Sequence, residues 1–152
     1  MVDFAELVEA CGDGVIVCDA GGLIVYWNAA ATRIFGFTTM DAVGASLDLI
    51  IPPAQRQRHW DGYHATLATG ATRYGSDVLR VPALHKEGRP LSIAFTVALL
   101  QGACIVAIVR DDTARWVEER ALRARVRALE AMHITQDALT RDKAAPTIPA
   151  PV

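Results

Sequence analysis

The sequence predicts an α+β domain: a five-stranded antiparallel sheet with helices on one face, followed by a C-terminal helix of coiled-coil type. Three observations carry this prediction. Apolar runs of strand length fall into an N-terminal pair and a C-terminal triplet, each joined by short connections. The stretch between the two groups holds its apolar residues at helical spacing. Residues 112–140 then read as one long helix.

Taken in order, residues 3–11 place Phe4, Leu7, Val8 and Cys11 at helical spacing, which predicts a short amphipathic helix. Two strands follow, 14–19 and 22–27, joined by a tight Asp19-Ala20-Gly21-Gly22 turn in which glycine supplies positive φ. Asn28 stands where a helix N-cap belongs, ahead of a helix that sends Ile34 and Phe35 to the core and stops at Gly36. The segment 38–53 breaks into one-turn pieces ended by Pro52-Pro53. A helix over 54–69 has Pro53 just before its start and Gly70 just past its end. Strands are predicted near 73–84, at 90–100 and at 103–110, in an antiparallel meander that turns at Lys86-Glu87-Gly88. In the long helix, Leu122, Val126, Leu129 and His133 follow a 4-3-4 spacing, the seam of a short coiled coil, which predicts a homodimer in preference to the alternative, a helix that packs back on its own domain. His133 is expected to set packing or register on that seam. The proline-rich end lacks a hydrophobic period. The expected organisation is an N-terminal helix (1–12), a core domain (13–111), an output and dimerisation helix (112–140) and a disordered tail (141–152).

Composition narrows the function. A chain of 152 residues, 52% hydrophobic and 21% charged, suffices for one domain plus an appendage. A formal charge of −2 supplies no long-range attraction for nucleic acid or an anionic membrane. The arginines 120, 123, 125 and 127 are interrupted by Glu118, Glu119 and Glu130, as on a solvated helix face. No apolar run approaches the ~20 residues that span a bilayer. The N-terminus is acidic before any apolar stretch, the reverse of a secretory signal. Cys11, Cys18 and Cys104 form an odd set without CxxC spacing and are expected to be reduced core thiols of a cytoplasmic protein. No GxSxG, HExxH or paired CxxC occurs, and the glycine pairs fit turns, so an enzyme is not expected.

The stretch GVIVCDAGGLIVYWNAAATRIFGF resembles the opening hairpin and first helix of the PAS family, with Asp19, Ile24, Asn28 and Phe35-Gly36-Phe37 in place. Val43-Gly44 and Leu49-Ile50-Ile51-Pro52 resemble the family's next stretch. HKEGRPLSIAFTVAL resembles its Lys-acid-Gly turn and long strand, and Asp111 and Thr113 take its Asp-x-Thr places before the output helix. The resemblance spans about residues 5–130. It implies a PAS fold, a sensory or dimerising role, and a central cavity between the sheet and the helices of residues 28–69.

Within that family, LIIPPAQRQRHWDGY is similar to the haem-binding gas sensors, in which the helix before the meander carries the iron-ligating histidine. His59 is the matching position. The resemblance implies haem b held through His59 and a diatomic gas, CO, NO or O2, or a redox change as the signal. Helical geometry separates the two histidines: Tyr63 and Leu67 share the His59 face, whereas His64 lies about 140° away and falls with Trp60. Oxygen-sensing relatives place an arginine twenty positions after the ligand; here that position is Leu79. Arg80 alternates to the other side of the strand, and Phe95 and Val97 share one face of the 90–100 strand. The far wall is therefore expected to be apolar, which suits carbon monoxide or nitric oxide better than stable oxygen binding. A flavin photoreceptor would require a reactive cysteine near 45–50, where ASLDLI has none. The alternative is a haem-free module that binds an apolar metabolite or mediates dimerisation, the downstream partner being unspecified by the chain.

Overall fold

The computed structural model describes residues 1–144. Two compact units divide at residue 113, the first running Met1–Thr113 and the second starting at Ala114.

In the first unit, helix α1 (Phe4–Ala10) precedes strands β1 (Gly14–Cys18) and β2 (Ile24–Trp27). Helices α2 (Ala29–Phe35), α3 (Thr39–Ala42) and α4 (Pro53–Thr69) follow, with a 3-10 turn at Leu47–Leu49. Strands β3 (Leu79–Leu84), β4 (Pro90–Leu100) and β5 (Cys104–Asp111) complete a five-stranded antiparallel sheet of order β2-β1-β5-β4-β3. The α+β PAS architecture expected from the sequence is present. The first and last strands meet at the centre of the sheet, where β1 pairs with β5 from Gly14↔Val109 to Cys18↔Ile105.

Alternation along the strands sends one set of side chains to a single face. Ile16 and Cys18 on β1, Ile24 and Trp27 on β2, Ile105 and Val109 on β5, Leu91 and Ile93 on β4, and Ala83 on β3 join one core. The helical side supplies Ala31, Phe35, Ala42, Ile50, Ile51 and Tyr63. Trp27 and Phe35 sit at the centre with ring centroids 5.5 Å apart.

Local chemistry fixes the turns that position this core. In the β1–β2 hairpin the Asp19 carboxylate accepts from the amides of Gly21 and Leu23 at 2.9 and 3.0 Å, and Gly22 takes φ +80°. That geometry uses residues 22 and 23 in the turn, so β2 begins at Ile24 rather than at 22. Asn28 is the N-cap of α2 and is wholly buried. Its Oδ1 accepts from Val15 and Ala31 amides at 2.9 and 3.0 Å, and its Nδ2 donates to Val8 and Asp13 carbonyls at 2.9 and 3.1 Å. One side chain thereby ties α1, β1 and α2 together. Helix α4 carries proline in its first turn and ends at Gly70, φ +69°.

Two expected boundaries move. The strand expected from residue 73 starts at Leu79, because the amide of Asp77 closes a turn on the Tyr74 carbonyl at 2.9 Å and Gly75 lies at φ +54°. Tyr74 and Val78 look like strand residues, but the backbone between them is turned. Helix α5 (Thr113–Lys143) runs past the expected end at 140, so residues 141–143 are helical rather than part of a disordered tail. The rest of that tail, from 145, lies outside the described residues.

At the head of α5 the Asp111 carboxylate accepts from the Thr113 amide and hydroxyl at 3.0 and 2.6 Å, and Thr113 Oγ1 accepts from the Ser92 amide at 3.0 Å. In the second unit no residue of α5 is buried, and Leu122, Val126 and Leu129 are exposed along the expected seam. His133 is exposed too and lies 3.9 Å from Asp137.

A candidate ligand site on the inner face of helix α4

Tyr63 is the residue of α4 buried deepest, and its hydroxyl donates to the Asp19 carbonyl in the β1–β2 turn. One turn earlier on this side stands His59 and one turn later Leu67, both half-buried. The i, i+4 spacing read from the sequence thus gathers these three side chains on one face, with the His59 and Tyr63 ring centroids 5.8 Å apart.

His59 combines burial with the absence of a hydrogen-bond partner. Its Nδ1 is sealed from solvent and accepts or donates no hydrogen bond; it is the one such side-chain nitrogen or oxygen among the described residues. Buried polar atoms are ordinarily paired, so this unpaired one is a cost that the fold carries. Burial lowers the His59 pKa below that of an ordinary histidine, a shift opposed by the charge of Asp48 and reinforced by His64. The imidazole is therefore neutral near pH 7, the form that binds metals. Burial likewise holds Tyr63 as a phenol, its pKa raised, with Cys18, Asp19 and Cys104 adding to the shift.

His64, in contrast, is exposed. Trp60 does not follow it outward as the sequence reading expected: it packs against the core cluster. Its indole Nε1 donates to Asp48 at 2.8 Å, and its ring lies so close to Gly22 that a Cβ there would come within 2.3 Å of it. Its ring centroid is 4.7 Å from that of His59, edge to face at 79°, and 5.2 Å from that of Tyr63. Sequence reasoning missed Trp60 and Asp48. The signal was available for Trp60, which stands three residues before Tyr63 and so shares its face, but the i, i+4 relation to His64 concealed it.

The sheet adds apolar side chains to the same core cluster. Phe95 and Val97 are half-buried on the same face of β4 as Leu91 and Ile93, and pack against the core cluster. Leu79 pairs with Phe95 in the β3–β4 register and is half-buried. Arg80, its neighbour, is exposed and bonds to Asp112 at 3.3 Å. No arginine therefore stands at the Leu79 position, and the next one along is engaged elsewhere.

Other chemistry fades on inspection. Burial pushes the Cys18 thiol up to about 12, with Asp19 and Cys104 adding to the shift, so it is no thiolate nucleophile. Cys11 and Cys104 are half-buried rather than core residues, a correction to the expectation for all three thiols. Among the described residues no three His, Cys, Asp or Glu converge to hold a metal ion. A metal at His59 would need its remaining ligands from a prosthetic group. Among the described residues no helix is long and apolar enough to cross a membrane.

A domain with this sheet order, this asparagine-capped helix and an α4 packed on the core through Tyr63 falls in the class of sensory domains, and comparison with known proteins agrees. The family model described as the PAS fold matches residues 3–121, and the chain belongs to that family. It is similar to the sensor protein FixL of Bradyrhizobium diazoefficiens, 26% identical over 137 residues, which cover 86% of this chain and 26% of FixL. Among solved structures, a PAS domain from Colwellia psychrerythraea matches at TM-score 0.61 and 19% identity, covering 73% of this chain and 95% of that one. The PAS domain of the Cronobacter turicensis quorum-sensing receptor RpfR, in complex with C12:0, matches at TM-score 0.55 and 14% identity, covering 68% and 97%. The chain spans about a sixth to a quarter of the length of the curated relatives it matches.

Proposed function

We propose that this PAS sensory domain binds haem b through His59 and reports a diatomic gas or the iron's redox state through its C-terminal helix. The observation that carries the reading is a neutral, half-buried imidazole on the inner face of α4 whose Nδ1 is sealed and unbonded, which leaves Nε2 as the nitrogen to meet a ligand. Its match to the ligand position of haem-binding PAS sensors supports it, as does the similarity to a sensor protein. The donor set fits: one imidazole suffices when a porphyrin supplies the other ligands, and Phe95, Val97, Leu79 and Leu67 offer apolar surface.

When bound, haem supplies an iron atom that can take up carbon monoxide, nitric oxide or oxygen. The chain's own part is to hold His59 neutral, exclude water with Tyr63 and Leu67, and face the ligand with an apolar wall. With leucine at position 79 that wall lacks a hydrogen-bond donor, which favours carbon monoxide or nitric oxide over oxygen. Transmission requires α5 to take different dimer preferences in the two ligand states. We place the protein in the cytoplasm as a homodimer joined through α5, feeding a separate or fused output module, and assign it no catalytic step, nucleic acid or membrane contact.

A second reading rests on a specific observation: a PAS domain of similar fold is complexed with C12:0. Here the same apolar surface would take an acyl chain or another apolar metabolite. Supplying haem to the purified protein separates the two. A Soret band that is abolished by His59→Ala and retained in His64→Ala is the expected result. A wild type that stays colourless, and from which organic extraction recovers an apolar metabolite, transfers the site to the second reading.

A further inference from the structure

A histidine that ligates metal ordinarily donates its other ring N–H to a carbonyl or carboxylate, which fixes the ring plane. His59 has no such partner: Nδ1 is dry and unbonded. Yet its ring packs against two aromatic side chains of its own helix, Trp60 and Tyr63, which also pack on each other. Tyr63 is pinned by its hydroxyl to the Asp19 carbonyl. Trp60 is pinned twice, at Nε1 by the Asp48 carboxylate at 2.8 Å and across its ring by the bare backbone of Gly22. The Asp48 carboxylate also lies 3.8 Å from the Arg56 guanidinium, whose Nε and Nη2 donate to the carbonyls of Ile51 and Asp48 at 3.1 and 3.2 Å. The 3-10 turn, the hairpin turn and α4 thereby converge on one indole.

We propose that Trp60, locked by Asp48 and Gly22, is the positioning residue of His59, setting by edge-to-face packing the ring plane that a hydrogen-bond acceptor usually sets. The proposal rests on His59 being the ligand-facing group, but concerns this chain's own packing. An imidazole seated this way holds Nε2 in one direction without a bond to Nδ1. Gly22, in a turn more than thirty residues from α4 along the chain, becomes part of the site because any side chain there would drive the indole away.

The test is side-chain NMR of the ligand-free protein, with folding checked by thermal melting and the amide spectrum. In wild type, His59 should show one set of ring signals, a single neutral tautomer by its nitrogen shifts, and cross-peaks to both Trp60 and Tyr63. Trp60→Ala should lose the cross-peaks to Tyr63 and broaden or split the His59 signals. Asp48→Ala should do the same, whereas Asp48→Asn, which keeps an acceptor for the indole, should restore the wild-type pattern. Trp60→Phe, which keeps a ring, covers the case in which Trp60→Ala fails to fold, and should retain the cross-peaks. Haem titration of the same set should show affinity about ten- to a hundredfold weaker in Trp60→Ala and Asp48→Ala than in wild type. Folded Trp60→Ala and Asp48→Ala proteins with unchanged His59 signals overturn the proposal. A wild type that takes no haem overturns the haem reading alone, since the ring signals still decide the positioning role.

Discussion

Asn28 shows how much one side chain can hold. All four of its hydrogen-bonding positions are used, two as acceptor and two as donor, inside a residue with no exposed surface. Truncation to alanine strips the buried amides of Val15 and Ala31 of their acceptor and removes the donor to the carbonyls of Val8 and Asp13. Asn28→Ala should therefore cost on the order of 3 kcal/mol in chemical denaturation, and a loss below about 1 kcal/mol would contradict the assignment. Asn28 was legible as a helix cap because asparagine ahead of an apolar helix has few other uses. Its bonds to Val8 and Asp13 were not, since nothing in the local sequence states where α1 docks. A second prediction concerns that docking. Tyr26 donates to the Glu9 carboxylate at 2.5 Å, and Glu9 also accepts from the Ala29 amide at 3.2 Å. Its hydrogen bond to Glu9, then burial, then the charge of Glu9 raise the phenol from 10.0 to about 12. The protonated phenol holds the bond, so the stability it contributes is complete below pH 10 and disappears as pH rises through about 12. NMR titration of the Tyr26 ring should show the midpoint fall toward 10 in Glu9→Ala, and an unchanged midpoint would mean that α1 does not dock there.

Among the elements, α4 and α5 divide what sequence can and cannot tell. The face of α4 was legible as far as His59, Tyr63 and Leu67, because i, i+4 spacing depends on the helix alone. The inward turn of Trp60 was not, because it depends on Gly22 and Asp48, which reach α4 only in the folded chain. The start of β3 was misread for a related reason: Tyr74 and Val78 suit a strand, but Gly75 and the bond from Asp77 to Tyr74 curl the backbone. Helix α5 follows the sequence closely since one period governs all of it. Its exposed Leu122, Val126 and Leu129 predict self-association. Light scattering should give twice the monomer mass for the wild type and the monomer mass for Leu129→Asp. A wild type at monomer mass at all accessible concentrations would remove the coiled-coil assignment.

For the molecule as a whole, the fold was legible because hairpin, capped helix and meander each carry their own local signature, and their order admits few topologies. The site was legible only in part. That Phe95 and Val97 share the core face of β4 followed from strand alternation, whereas the interest of Leu79 came only from the resemblance. What makes His59 distinctive, a sealed nitrogen without a partner beside a locked indole, arises from packing across elements far apart in the chain. That arrangement supports the proposal that His59 is the residue through which haem would be held. The most direct measurement is the visible spectrum of the haem-supplied, reduced protein with and without carbon monoxide, taken on the wild type and on His59→Ala. The account predicts a wild-type Soret band that shifts sharply on adding the gas, and no protein-specific band in the variant. Identical spectra from the two proteins would contradict it.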